Sequence, residues 1–142
     1  MSREQNVING VILQKLQSLD QVLTELRSLG QVNIKILDED WRIRRAVERD
    51  LQVLVEIVID VCQRLISLSN QAPATNGAEA VERCIQLGAL SRNEAYEKMV
   101  RFRNFIVHRY ERVDVAILVD MVNRRLADFE LFRIEILNYV QH

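Results

Sequence analysis

Four side chains that could take part in a reaction fall within eight residues of this chain: Arg103, Asn104, His108 and Tyr110. Histidine takes or gives a proton near neutral pH. Arginine binds phosphate through paired donors and stabilises the extra negative charge of a pentacoordinate transition state. Asparagine can orient an imidazole or donate to a phosphate oxygen. These residue types suit cleavage of a phosphodiester. In RNA the 2′-hydroxyl is an internal nucleophile, so a His/Arg site needs no metal.

The segment around these residues has the apolar spacing of an α-helix, which advances about 100° per residue. His108 then lies one turn from Asn104, and Tyr110 lies two turns from Arg103. On an ideal helix the four side chains do not share one narrow face. Either the helix loosens towards Tyr110, or a second copy of the motif completes the site across a two-fold dimer.

Structural roles remain the alternative for these residues. A histidine near the C-terminal end of a helix complements the helix dipole without any catalysis. Tyr110 fits three roles: a packing aromatic, a platform for base stacking, or an acceptor of a covalent modification.

The net charge of the 142-residue chain is -1, so any argument for nucleic acid must come from a local patch. Between residues 98 and 112 the net charge is +4, because one acidic residue opposes five basic ones. Such a patch suits an RNA backbone. Besides Arg103, its members are Lys98, Arg101, Arg109 and Arg112.

Only four glycines and one proline leave little material for turns and favour long helices. The expected fold is all-α, a four- to five-helix up-down bundle in a single domain over residues 1–142. No apolar run reaches the roughly 18 residues of a membrane span, and the polar start differs from a secretory signal, so we expect a cytoplasmic protein. Cys62 and Cys84 suit small core positions, and no motif for a metal or another cofactor is present.

Helix caps and apolar spacing predict the boundaries of the elements. The first expected helix runs from a Ser2–Gln5 capping box to about Gly30, and an extended connector over 31–37 then packs Ile34 and Ile36 on the core. The second expected helix runs from about Trp41 to Leu68 and is capped by Asp38 or Asp40. Three more helices are expected: one from Ala78 to Leu87 stopped by Gly88, one opened by a Ser91–Glu94 capping box, and a last one capped by Asp114.

The expected second helix, from Trp41 to Leu68, is the most apolar segment of the chain. A helix that is apolar nearly all round is buried nearly all round. One small bundle does not easily cover it, so we expect part of it to face another subunit in a homodimer. Glu56 and Asp60, four residues apart, form a narrow polar stripe together with Gln52. This stripe is either a solvated or salt-bridged edge, or the lining of a functional cleft.

At its candidate catalytic residues the chain resembles the HepT-like toxins of the HEPN superfamily, which pair with MntA-type nucleotidyltransferase antitoxins. The family motif is an arginine, about four residues, a histidine, any residue and a tyrosine, often with an asparagine after the arginine. Here it reads Arg103-Asn104-Phe-Ile-Val-His108-Arg109-Tyr110. Arg109 departs from the acidic residue that is common at that position. The resemblance extends over nearly the whole chain.

The resemblance implies an all-α bundle that dimerises to bring two motifs into one cleft and often assembles further. It implies a metal-independent RNA endonuclease in which His108 transfers protons, Arg103 stabilises the phosphate and Asn104 supports them. It also implies that a cognate nucleotidyltransferase antitoxin transfers AMP to Tyr110 and so neutralises the toxin. Two alternatives stay open: a non-catalytic HEPN module that binds a nucleotidyltransferase or a nucleotide as an adaptor, and a purely structural oligomer.

Overall fold

The computed structural model describes residues 3–108 and 114–141, with side chains for 9–106 and 114–141. The secondary structure within these ranges is entirely helical, which confirms the all-α expectation. No helix in the described ranges is long and apolar enough to cross a membrane. The helices follow in the order α1 (Arg3–Ser28), α2 (Ile34–Glu39), α3 (Trp41–Leu68), α4 (Gly77–Gln86), α5 (Glu94–His108), α6 (Val115–Arg124) and α7 (Leu126–Gln141).

The two longest helices, α1 and α3, run antiparallel and form the centre of the bundle. Lys15 meets Asp60 at one end of this pair, while Glu25 lies beside Asp50 towards the other. Helices α4, α5 and α6 pack on α3, and α7 packs on α1. The expected Ser2–Gln5 capping box depends on a residue outside the described ones. The apolar stripe of α1 is buried at Ile12, Leu16, Leu19, Leu23 and Leu26.

Helix α3 begins and ends where its sequence predicts. The Asp40 carboxylate caps it by accepting from the backbone N–H groups of Arg42 at 3.0 Å and Ile43 at 3.3 Å. Every residue from 51 to 66 is buried or half-buried within a single chain, because five other helices surround α3. Much of the apolar surface of α3 is therefore covered by its own chain, and the homodimer stays a prediction.

The connector over 31–37 differs from expectation, because its second half is helical. The Asn33 side chain accepts from the Ile36 N–H at 2.8 Å and so opens α2. Val32 and Leu37 are buried there, whereas the side chains expected on the core, Ile34 and Ile36, are exposed. A polar residue of N-cap type was the available signal, but a six-residue helix is too short to show an apolar period.

The last expected helix is divided into α6 and α7 at Arg125. Asp114 caps α6 as predicted, accepting from the Ala116 N–H at 2.9 Å. The division follows from packing: α6 lies against α2 and α3, whereas α7 lies against α1. The short helix α4 ends before Gly88 as predicted, and that glycine has the left-handed φ of +85° that favours glycine.

Two side-chain amides attach loops to the helices. The Asn123 amide donates to the Val32 carbonyl at 2.8 Å and accepts from the Val32 N–H at 3.0 Å. The Gln63 amide makes the same pair of bonds to Ala74, at 3.0 and 2.9 Å. Each amide satisfies both backbone groups of one loop residue, which fixes the loops before α2 and α4.

The two cysteines are core residues, as predicted. Cys62 and Cys84 are fully buried, and the Cys84 thiol donates to the Cys62 carbonyl at 3.5 Å. A hydrogen bond with Cys84, together with burial, raises the pKa of the Cys62 thiol. The Cys62 thiol therefore remains neutral, and both cysteines pack as small apolar side chains.

A buried hydrogen bond joins α5 to α7. The Tyr96 hydroxyl donates to the Glu135 carboxylate, and the Tyr96 ring packs edge-on against Phe132 with centroids 6.2 Å apart. Burial and then the bond to Glu135 raise the pKa of Tyr96. The neutral phenol therefore adds stability that is complete below the ordinary tyrosine pKa of about 10 and is lost as the pH rises above it.

We expect Tyr96→Phe to lower the free energy of unfolding by about 1–2 kcal/mol, because a hydrogen bond to a charged group is lost from a buried site. Chemical denaturation measures this change. Tyr139→Phe on the exposed side of α7 is the matched control, with an expected change within about 0.5 kcal/mol. Equal unfolding free energies for the two variants would contradict the contribution assigned to the buried bond.

Candidate functional site

Helix α5 carries the candidate residues, and its start is set by different residues from those predicted. The Asn93 side chain, rather than Ser91, caps the helix by accepting from the Ala95 N–H at 2.9 Å. Ser91 instead donates its N–H and hydroxyl to the Glu135 carboxylate, both at 3.0 Å. Glu135 thus fixes the start of α5 from 44 residues away, and no local sequence pattern signals that contact.

The side chain of Arg103 projects from α5 next to the buried face of that helix and contacts α3. Its Nε donates to Glu56 Oε1 at 3.2 Å. The two side chains are 30% and 43% exposed, and at such exposure an ion pair stabilises a fold by no more than about 1 kcal/mol. The bond therefore matters chiefly because it fixes where the guanidinium lies. Among the described residues no other hydrogen bond to Arg103 is present.

The two acidic residues of the α3 stripe have different partners. Glu56 bonds Arg103, whereas Asp60 bonds Lys15 at 2.8 Å and Arg64 at 3.4 Å. Burial acts to raise the pKa of Asp60, but the hydrogen bond and charge of Lys15, helped by Arg64, outweigh it and lower that pKa. Asp60 is therefore a salt-bridged edge residue. Both acids nevertheless line one surface groove of about 450 Å³.

Asn104 faces a different side of α5. It is exposed and lines a groove of about 280 Å³ between α4 and α5, together with Val81 and Val100. Arg103 and Asn104 therefore lie on different faces of α5, and this is what the helical geometry predicts. α5 stays helical up to His108, which keeps the one-turn spacing from Asn104 to that histidine.

Several predicted site residues lie beyond the described side chains. The backbone of His108 is the last helical position of α5, and its side chain is outside the description. Arg109, Tyr110 and Arg112 lie outside the described residues altogether. Whether the helix loosens towards Tyr110 therefore stays a prediction.

In the described part of the predicted basic patch, each cation lies close to an acidic side chain, so the local net charge is close to zero. Lys98 lies 3.4 Å from Glu94, and Arg101 lies 3.8 Å from Glu97. Each acid is one helical turn earlier, so a charge count that begins at residue 98 omits both. Such exposed pairs are weak and exchange readily with a phosphate. Among the side chains described, no group of three or more His, Cys, Asp or Glu could hold a metal ion.

The chain is similar to one protein family and to several solved toxin–antitoxin structures. The family model described as Ribonuclease HepT-like matches residues 19–136, and no curated protein matches significantly. A chain of a toxin–antitoxin crystallised with AMP-PNP has a TM-score of 0.79 at 20% identity, over 91% of this chain and 98% of that one. A tri-AMPylated Shewanella oneidensis HEPN toxin in complex with MNT antitoxin has a TM-score of 0.79 at 21% identity, over 90% and 97%. A mutant MntA–HepT toxin–antitoxin has a TM-score of 0.77 at 22% identity, over 91% and 98%.

At these identities the solved structures show a shared fold, and the family model covers most of the chain. The resemblance inferred from the motif around Arg103 and His108 is confirmed. This chain belongs to the HepT-like ribonuclease family.

Proposed function

We propose that this protein is the toxin of a toxin–antitoxin pair and acts as a metal-independent RNA endonuclease. The observation that carries the proposal is an intact Arg103–Asn104–x3–His108 series at the end of α5 in a chain of the HepT-like ribonuclease family. An adaptor that only binds a nucleotidyltransferase has no need for both the arginine and the histidine.

In the proposed reaction the RNA 2′-oxygen attacks the adjacent phosphorus and the 5′-oxygen leaves. A P–O bond to the 2′-oxygen forms as the bond to the 5′-oxygen breaks, which gives a 2′,3′-cyclic phosphate and a 5′-hydroxyl. His108 moves the proton that the attacking hydroxyl loses and the leaving oxygen gains. Asn104, one turn before His108, supports it.

Arg103 stabilises the charge that develops on the phosphate oxygens. The bond from its Nε to Glu56 ties the guanidinium to α3, and the Nη groups supply the paired donors that suit a phosphate. Glu56 therefore acts as the positioning residue of Arg103. Because this orientation exists before substrate binds, it adds no reorganisation cost in the transition state.

A homodimer, alone or within a larger assembly, completes the proposed site. Support comes from the divergence of Arg103 and Asn104, which face different grooves of one chain. A two-fold axis beside the C-terminal end of α5 would bring two copies of the motif into one cleft.

Neutralisation by a cognate nucleotidyltransferase is the second half of the proposal, and it rests on family resemblance and on the AMPylated HEPN toxin with the same fold. The Tyr110 hydroxyl would attack the α-phosphorus of ATP, pyrophosphate would leave, and the hydroxyl proton would pass to solvent. The attached AMP brings bulk and negative charge beside His108 and repels an RNA backbone.

We expect protein made with an MntA-like nucleotidyltransferase to gain one or more AMP units at Tyr110 and to lose RNA cleavage in EDTA. Intact mass and peptide mapping measure the first change, and a labelled RNA measures the second. Tyr110→Phe blocks the mass gain, with Tyr139→Phe as the matched control that does not. A mass gain with undiminished cleavage, or a gain that persists in Tyr110→Phe, would refute this mode of neutralisation.

A further inference from the structure

Ion pairs are unevenly distributed over the described side chains. Outside residues 35–49, every described lysine and arginine side chain has a carboxylate oxygen within 4.0 Å. Inside that segment no cation forms such a pair with a described residue. The unpaired cations are Lys35, Arg42, Arg44, Arg45 and Arg49.

Three of these arginines form a line on the exposed side of α3. At about 100° per residue, Arg42, Arg45 and Arg49 fall within an arc of about 60°, and Glu56 falls in the same arc. All three arginines are exposed, whereas Arg44 lies on the opposite side and is buried. We call Arg42, Arg45 and Arg49 the arginine track.

An exposed tryptophan stands at the outer end of the arginine track. Trp41 is 58% exposed, the largest fraction among the exposed large apolar side chains in the described ranges. The Arg42 guanidinium lies 5.5 Å from the centre of its ring. An indole ring that is open to solvent beside cations is a surface on which a nucleobase can stack.

The outermost arginine of the track, Arg42, lies in the first turn of α3. A cation there opposes the helix dipole, and α3 has no acidic residue in its first turn. Arg42 therefore does not stabilise its own helix, and a residue that breaks a local rule in this way is often functional.

The arginine track leads directly to the candidate site. Arg49 and Glu56 line the same groove of about 450 Å³, and Glu56 holds Arg103. The acids of that groove are already occupied, since Asp60 bonds Lys15. The path from Arg42 to Glu56 is about 21 Å along the helix axis.

We propose that the exposed face of α3 from Trp41 to Arg49 binds the single-stranded RNA substrate and leads its backbone to Arg103. This inference rests on the proposed ribonuclease function. The arginine track binds successive phosphates, and Trp41 stacks on a base. The charge complementarity of the track to a polyanion and its continuity with the groove at Glu56 favour RNA over a protein partner at this face.

The test measures binding of a short fluorescein-labelled oligouridylate by anisotropy, in EDTA and in a His108→Ala background, so that the probe is not consumed. Arg45→Ala/Arg49→Ala should weaken binding about tenfold at about 0.1 M salt and reduce the slope of log K against log salt by about 1.4. Trp41→Ala should weaken binding about tenfold with the slope unchanged. Arg27→Ala/Arg133→Ala, the control with the same change in charge, should leave both quantities unchanged. Circular dichroism checks that each variant keeps its helices.

Separate outcomes identify which proposal fails. If the unmodified protein cleaves RNA but the track variants keep the parental affinity and salt slope, the track is overturned while the ribonuclease function stands. If the variants bind RNA normally but no longer bind the purified nucleotidyltransferase, the face is a protein interface and the RNA track is again overturned. If the unmodified protein neither binds nor cleaves RNA, both proposals fail.

Discussion

We expect His108→Ala to slow RNA cleavage by about 10²- to 10⁴-fold, the usual contribution of a positioned proton-transfer group. Alanine is the best helix former, so the substitution at the end of α5 should preserve the helix. Single-turnover cleavage of a labelled RNA in EDTA measures the rate, and circular dichroism measures the helical content.

The chain supplies its own control for this experiment. His142 is its other histidine, and His142→Ala should leave the cleavage rate unchanged. Unchanged cleavage in His108→Ala would remove the catalytic assignment. The absence of cleavage by the unmodified protein would instead favour the adaptor module.

Arg103→Ala should reduce kcat by about 10²- to 10³-fold, because it removes donors aimed at the charge that develops in the transition state. Arg103→Lys keeps the charge but loses the planar fork, so we expect only partial recovery. A loss confined to KM would show that Arg103 binds substrate without stabilising the transition state.

Two further variants separate position from charge. Glu56→Gln keeps an oxygen that accepts from Arg103 Nε, whereas Glu56→Ala removes it, so the alanine variant should lose more activity. Glu130→Ala is the matched control, since Glu130 also accepts from an arginine, Arg27 at 2.9 Å, in an exposed ion pair. Equal activity for Glu56→Ala and the unmodified protein would show that Glu56 does not position Arg103.

The long helices were predictable because their apolar period and caps agree. The caps at Asp40 and Asp114 and the end at Gly88 are local features, and all three are where the sequence predicts them. Helix α2 was missed because six residues give no period. The break at Arg125 was missed because the apolar spacing runs through it without a glycine or proline, and only the different partners of α6 and α7 impose it.

Two patterns in the sequence look different in the folded chain, because a count along the chain omits residues that lie nearby in space. The patch from residue 98 omitted Glu94 and Glu97, which an α-helix places beside Lys98 and Arg101. The apolar surface of α3 suggested a second subunit; five helices of the same chain pack against it, and the second subunit stays a prediction.

By itself the sequence determined the types and local spacing of Arg103, Asn104 and His108, because residues within two turns of one helix have positions that covalent geometry sets. The tertiary structure decided their partners. Glu56 reaches Arg103 from 47 residues away. Among the described side chains, no carboxylate oxygen lies within 4.0 Å of the arginines of the track, in contrast to the cations outside residues 35–49. Such contacts depend on how helices pack, and packing between distant segments is not encoded in the spacing of either segment.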